Sequence, residues 1–299
     1  MLQRNRFLAL AVLVSALCVS AAPAQTTLRY QFKEGEKLPY VMEQKMKMLM
    51  SIMGMDIETK MNMTMELSLN VLELTKDGGA KMQFKVSHAK MSMDAVTGKV
   101  DVDSKDKDEP DDQVGKILSG VVKALGAMEM SGTMLASGEM KDIQVSEATL
   151  KALKALPGAD KLGDVTSPDA FKTMVSNLVF PTDAISKGKT WNNKIETKTP
   201  FGKGITDNKY TYEGTIQKDG AALEKISVKP DTKIVADPNA QIKITIKDSK
   251  GSGHILFDNK KGRIIESITQ QTTEMAISAN GLDLTQTVQQ TTTLRLKKQ

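Results

Sequence analysis

The sequence has 299 residues, with 41 Lys+Arg against 36 Asp+Glu, a formal charge of +5, 40% hydrophobic and 26% charged residues. That composition is globular, and the length allows one large domain or two ordinary ones with a sizeable core. Two histidines and one cysteine are a sparse stock of catalytic groups, and so small a charge excess excludes a nucleic-acid footprint.

In chain order, the first 24 residues have the form of a secretory signal. Arg4 and Arg6 make a basic start, residues 7–19 an apolar stretch, and Ala22-Pro23-Ala24 a small-x-small cleavage site. The apolar run falls short of the roughly 20 residues that span a bilayer. The expectation is cleavage before Gln25, export to the periplasm or to the outside of the cell, and no transmembrane anchor afterwards. Cys18 follows Leu17, where lipoprotein processing needs a small residue, so it leaves with the signal. The remaining chain then has no cysteine, which excludes disulfides, thiolate metal sites and cysteine nucleophiles.

Over residues 40–71 apolar side chains alternate, on even positions from Tyr40 through Met46, Met48 and Met50, and on odd ones from Ile57 through Met61, Met63 and Met65 to Val71. Period two means strand. The parity changes at Met53-Gly54. A two-residue turn there pairs Met50 with Ile57, Met48 with Thr59, Met46 with Met61 and Met42 with Met65, all on one face. The other face receives Lys45, Lys47, Lys60 and Asn62 and is wet. Asn280-Gly281, a type I′ turn signal, centres a second hairpin of the same grammar. Aligning Gly54 with Gly281 superposes Gln44 on Gln271, Met48 on Met275 and Leu67 on Leu294. Duplication and shared strand grammar explain this equally well.

Further alternation follows at Met82, Phe84 and Val86, with a phase slip through His88-Ala89-Lys90 that reads as a bulge. It resumes at Tyr210, Tyr212, Ile226, Val228 and Ile242 to Ile246, then over 254–258 and 263–273, separated by Gly-, Pro- and Asn-containing turns such as Lys218-Asp219-Gly220. About ten long strands in an antiparallel meander are expected. Residues 101–112 hold seven acids against two lysines and read as a solvated loop. Helices are expected near 114–125, at 147–156 behind Ser146 as N-cap, and at 168–178 behind Ser167, with a short hairpin at Ser137-Gly138 between the first two. The predicted fold is α+β: one β-rich domain over 25–299, a large curved antiparallel sheet or half-barrel whose apolar face the short helices cover. It divides into an N-terminal hairpin set at 28–103, a helical and loop insert at 104–180, and a C-terminal strand set at 185–299.

Methionine is the compositional anomaly: of 19, twelve fall between positions 42 and 93, many as Met-x-Met. Such spacing places thioethers on one strand face, where they suit an adaptable apolar surface; converging sulfurs would also select Cu(I), which makes a copper protein one alternative. His88 and His254 read as structural, and Trp191, after a Gly turn, as a core anchor or a stacking surface. The sequence contains no nucleophile elbow, zinc-protease motif or phosphate loop. No enzyme activity, cofactor or metal is expected.

The chain resembles an uncharacterised family of bacterial exported proteins, a domain of unknown function. The residues that carry the resemblance are Leu28-Arg29-Tyr30-Gln31-Phe32-Lys33-Glu34-Gly35-Glu36, Gly188-x-x-Trp191, Pro200-Phe201-Gly202-Lys203 leading to Tyr210-Thr211-Tyr212-Glu213-Gly214, and Gly253-x-x-x-Phe257-Asp258 before Gly262-Arg263. At Lys189 the pattern usually has an acid. More distantly, the layout is similar to the periplasmic lipoprotein-carrier fold. That likeness implies an apolar concave face lined by Met46, Met48, Met50, Met61, Met63 and Met65. The expected function is non-enzymatic binding of a lipophilic molecule or an envelope component on that face, with Trp191 as a further contact. A structural envelope protein with a fully packed core is the alternative.

Overall fold

The structure, a computed structural model, describes residues 25–52, 54–156, 178–199, 201–238, 240, 242–279 and 282–298. The predicted signal, the turn residues Met53 and Asn280-Gly281, and all but the last residue of the predicted third helix lie outside the described residues.

Twelve strands form one antiparallel sheet: β1 (Lys37–Ile52), β2 (Met55–Leu74), β3 (Ala80–Ala95), β4 (Gly98–Asp103), β5 (Glu129–Met134), β6 (Met140–Val145), β7 (Thr190–Thr199), β8 (Gly202–Lys218), β9 (Ala221–Ala236), β10 (Ile242–Asp258), β11 (Arg263–Ala279) and β12 (Leu282–Leu296). Their order is β6-β5-β3-β2-β1-β12-β11-β10-β9-β8-β7, with β4 added beside β3, and the curved sheet does not close into a barrel. The first hairpin has the register its alternation requires, Met50 opposite Ile57 and Met46 opposite Met61. The second hairpin lies directly beside it, with Met48 of β1 opposite Val288 of β12. The first and last strands of the chain therefore pair at the centre of the sheet.

Two details differ from the sequence reading, and the expected bulge in β3 is placed one residue earlier. The acidic stretch is a loop only after Asp103, because 98–103 pair with β3 as a strand. Residues 242–258 are one strand running through Gly251-Ser252-Gly253 rather than two. A Cβ at Gly251 would lie 2.3 Å from Pro230 Cγ, and one at Gly253 would lie 2.4 Å from the Ile268 carbonyl oxygen, so these glycines let neighbouring backbone press against β10. The phase slip in β3 is a bulge at Ser87, with Val86 opposite Leu67 and His88 opposite Glu66.

Two helices are described. Helix α1 (Gln113–Gly126) is capped by Asp112, whose Oδ1 accepts from Gly115 N at 2.8 Å. Helix α2 (Glu147–Lys154) is capped by Ser146, as the sequence indicates. Helix α1 packs on β3 and β4, so among the described residues helical cover reaches one limb of the sheet.

The core sits at the end of the sheet that holds the β2–β3, β8–β9 and β10–β11 turns, here called the near end. One cluster joins Tyr210, Ile226 and Phe257 of one limb to Val71 and Met82 of the other, through Leu28 and Tyr30 before β1 and Leu178, Phe180 and Ile185 before β7. Tyr30 packs on Phe180 at 5.4 Å and edge-on to Phe257 at 5.3 Å between ring centroids. A second cluster gathers Leu38, Tyr40, Met65, Leu67, Val86 and Met91 under Val122 of α1. The Arg29 guanidinium donates to the Pro181 carbonyl at 2.6 Å and to that of Thr182, while Asn259 Nδ2 donates to the Thr27 carbonyl at 3.1 Å. These bonds lace the segment before β1 across the open side of the curve.

Candidate functional site

Each rung of the sheet places paired residues side by side on one face, with neighbouring strands about 4.8 Å apart. The inner face can therefore be read outward from the core. Ile255, Ser267, Leu294, Met42, Met65 and Ala89 form a closed rung. The next rung is Gly253, Thr269, Thr292, Gln44, Met63 and Met91, followed by Gly251, Gln271, Gln290, Met46, Met61 and Met93. An amide and hydroxyl belt thus crosses β11 to β1, while methionines continue the same rungs over β1 to β3. Gln271 Nε2 donates to Thr232 Oγ1 at 2.8 Å and Ser249 Oγ at 3.0 Å, and Gln290 Nε2 to Thr292 Oγ1 at 3.1 Å. Gln44 and Gln271, which the sequence superposes, both stand in this belt.

Beyond the belt apolar side chains return, mixed with Ser249, Thr273, Thr59 and Gln286. Val288 lies beside Met48; Ile246, Met275, Met50 and Ile57 share a rung with Gln286; Ile244, Ile277 and Leu284 form another. All of these are partly exposed, and neither core cluster includes them. The structure therefore divides the predicted methionine set. Met65 is buried, Met61 and Met63 pack against the second core cluster, and Met46, Met48 and Met50 stand on the open part. Trp191 is not with them: it lies on the edge strand β7 with five strands between it and β1. There it stacks on Tyr210 at 5.5 Å and its Nε1 donates to the Val179 carbonyl at 2.9 Å.

The outer face carries two depressions. One of about 630 Å³ spans β2 to β10 over the rungs of Lys45 and Lys47; a second, of about 390 Å³, lies toward the far turns, between Ser51 and Lys243. Glu58 bridges Lys47 at 2.8 Å and Lys60 at 2.9 Å beside the larger one, and hydrogen bonds from both lysines hold its carboxyl below the usual range. The sequence shows this face as wet; its concavity depends on how the strands coil, which period-two alternation does not report.

The titratable clusters serve the frame. His88 Nε2 meets Asp103 Oδ1 at 2.7 Å, and Lys90 holds Oδ2 at 2.9 Å. His254, without a partner in the sequence reading, faces Glu266 at 3.6 Å. Glu266 also takes Lys218 at 2.8 Å and Arg295 at 3.0 Å, tying the β8–β9 turn to β11 and β12. Burial raises its carboxyl, but the two cations outweigh that and the net shift is downward. Among the described residues no three His, Cys, Asp or Glu side chains come together as a metal site. No helix among them is long and apolar enough to cross a membrane.

The chain belongs to the family of unknown function DUF6263, whose model matches residues 77–264. Of the residues behind the resemblance, Tyr210, Tyr212 and Phe257 lie within the matched span and in the near-end core, which Leu28 and Tyr30, ahead of that span, share. No curated protein matches the sequence. Among solved structures the chain is similar to lipovitellin, a structure described for its lipid–protein interactions, with 8% identity, 90% of this chain and 26% of that one covered, and a TM-score of 0.48. This chain thus spans about a quarter of lipovitellin's length. A DUF1329 family protein from Desulfovibrio piger overlaps at 9% identity, 86% and 85% coverage and a TM-score of 0.14. A domain classed with outer-membrane lipoprotein-sorting proteins, from Vibrio parahaemolyticus, overlaps at 10% identity, 86% coverage of each chain and a TM-score of 0.16. At these scores the likenesses bear on neither ligand nor activity.

Proposed function

We propose that this is an exported, non-enzymatic protein of the cell envelope or its surroundings that holds a lipophilic molecule on the open part of its inner face. One observation carries the reading. Apolar side chains on β10 to β2, among them Ile246, Met275, Val288, Met48, Met50 and Ile57, continue past the core between Ser249, Thr273, Gln286 and Thr59, with no described segment of the chain packed over them in either core cluster. Exposed apolar side chains gathered on one face mark a binding face, and methionine adapts to ligands of variable shape. The amide belt at Gln44, Gln271 and Gln290 borders the apolar rungs on the core side, so the polar end of an amphiphile would meet hydrogen-bonding groups there.

The test is displacement of a fluorescent fatty acid from the mature protein. Met48→Asp with Met50→Asp is expected to weaken binding at least about tenfold, since each charge desolvates poorly against an acyl chain, while the thermal midpoint hardly moves. Absence of binding, or binding indifferent to both substitutions, would favour a purely structural envelope protein.

A further inference from the structure

The larger outer-face depression is floored by side chains that alternate with those of the proposed lipophilic site, although Met46, Gln271 and Gln290 of the inner-face rungs also border it. Two rungs form its floor: Lys45 with Thr291, Gln270 and Ser252, and Lys47 with Gln289, Thr272 and Lys250. Lys60 and Asn62 of β2 close one side. At about 630 Å³ it falls within the range of small-molecule sites.

Its chemistry is one-sided. Four lysines line it and no carboxylate does. Glu58 and Asp248, which pair with Lys47, Lys60 and Lys250, stand outside the lining, and Lys45 has no acidic partner among the described residues. The uncharged groups of the floor are less engaged than those of the inner face. On the inner face of these rungs Gln271 and Gln290 are tied to Thr232, Ser249 and Thr292, whereas the side chains of Ser252, Gln270, Thr272, Gln289 and Thr291 form no hydrogen bond with another described side chain. No aromatic ring lines the depression, which removes the platform that single-stranded nucleic acid needs for base stacking. Met46 is the one lining residue with an apolar side chain, so an acyl chain has little to lie against.

We infer that this depression binds a phosphate group flanked by hydroxyls, the chemistry shared by small polyol phosphates and by glycerophospholipid headgroups. The lysines supply the charge for the phosphate, and the glutamine and threonine ladder hydrogen-bonds the hydroxyls beside it.

The experiment titrates the mature protein calorimetrically with glycerol 3-phosphate and sediments it with vesicles of phosphatidylglycerol, each at physiological salt. Lys45→Glu with Lys60→Glu is expected to weaken binding at least tenfold. Lys33→Glu with Lys76→Glu, an equal charge change at exposed positions near the other end of the sheet, is expected to change it less than twofold. Gln289→Ala with Thr291→Val is expected to weaken glycerol 3-phosphate several-fold and inorganic phosphate less, because only the first has alcohol hydroxyls beside its phosphate. Binding of the soluble phosphate identifies a free ligand; sedimentation with vesicles alone identifies a headgroup. If neither binds, or if both double charge reversals weaken binding equally, the inference fails. Met48→Asp with Met50→Asp leaves this face untouched, so failure here is separable from failure of the lipophilic site.

Discussion

The near and far ends of the sheet are built from the same strands with the same alternation, yet among the described residues one is closed and the other open. Along β1, Leu38 and Tyr40 are buried while Met46, Met48 and Met50, on the same face of the same strand, remain partly exposed. The strand pattern does not differ; what covers it does. At the near end, the segment around Tyr30, the segment from Leu178 to Ile185 and helix α1 all reach the inner face. None of these packs beyond the amide belt. An apolar alternation therefore says which way side chains point, and only a second layer decides whether they form a core.

That contrast sets the order of expected effects. The largest belongs to Phe257, fully buried and packed edge-on against Phe180 at 4.8 Å. Phe257→Ala should cost about 3–5 kcal/mol, measured as a shift in the denaturant midpoint, and a loss below about 1 kcal/mol would mean that the near end is not the stability centre.

An intermediate effect should appear at Asp103, where β3, β4 and the loop after it meet. Burial raises its carboxyl, but the Lys105 N–H, Lys90 and His88 outweigh burial and hold it down to about 2, below the ordinary 3.8. A carboxyl with a lowered folded-state value stabilises the fold above its unfolded value and loses that contribution as pH falls through the folded one. Stability should therefore decline from about pH 4 toward about pH 2. In Asp103→Asn the decline over that window should be shallower, which acid titration of the circular dichroism signal would follow. The smallest effects are expected at the far end: Met48→Ala and Met50→Ala should each cost less than about 1 kcal/mol in the ligand-free protein, because partly exposed side chains leave little cavity. Larger losses would show that the far rungs are covered in solution.

Much of the frame is legible in the sequence, and the reason is physical. A two-residue turn at Met53-Gly54 leaves one register in which every apolar pair faces the same way, so the partners of Met42, Met46, Met48 and Met50 follow from parity alone. Ser146 and the Ser137-Gly138 turn are local signals and mark α2 and the β5–β6 hairpin. Long-range choices have no such signal. Alternation on β1 and β12 fits many neighbours, so their pairing at the centre of the sheet is not readable. Gly251 and Gly253 look like a break because the close approach that needs their missing side chains, by Pro230 of β9 and Ile268 of β11, depends on how the neighbouring strands pack and leaves no local signal. Asp101 and Asp103 look like loop acids because their partners, Ser92 and Lys90, stand on another strand.

The candidate site was half legible for the same reason. Parity places Met46 to Met65 on one face, but only coverage separates the buried Met65 from the open Met48, and only the strand order takes Trp191 to the opposite edge. The lysines of the outer face were readable as a wet surface. A threonine and glutamine repeat at 285, 287, 289, 291 and 293 was the one available sign that a continuous polar ladder lay beside them.

The central claim is that the far inner face holds a lipophilic molecule. Native mass spectrometry of the mature protein, purified from its own host's envelope fraction and measured before and after organic extraction, tests it most directly. The account predicts a lipid-sized mass that extraction removes and that Met48→Asp with Met50→Asp fails to retain. A bare polypeptide mass in every preparation would contradict it.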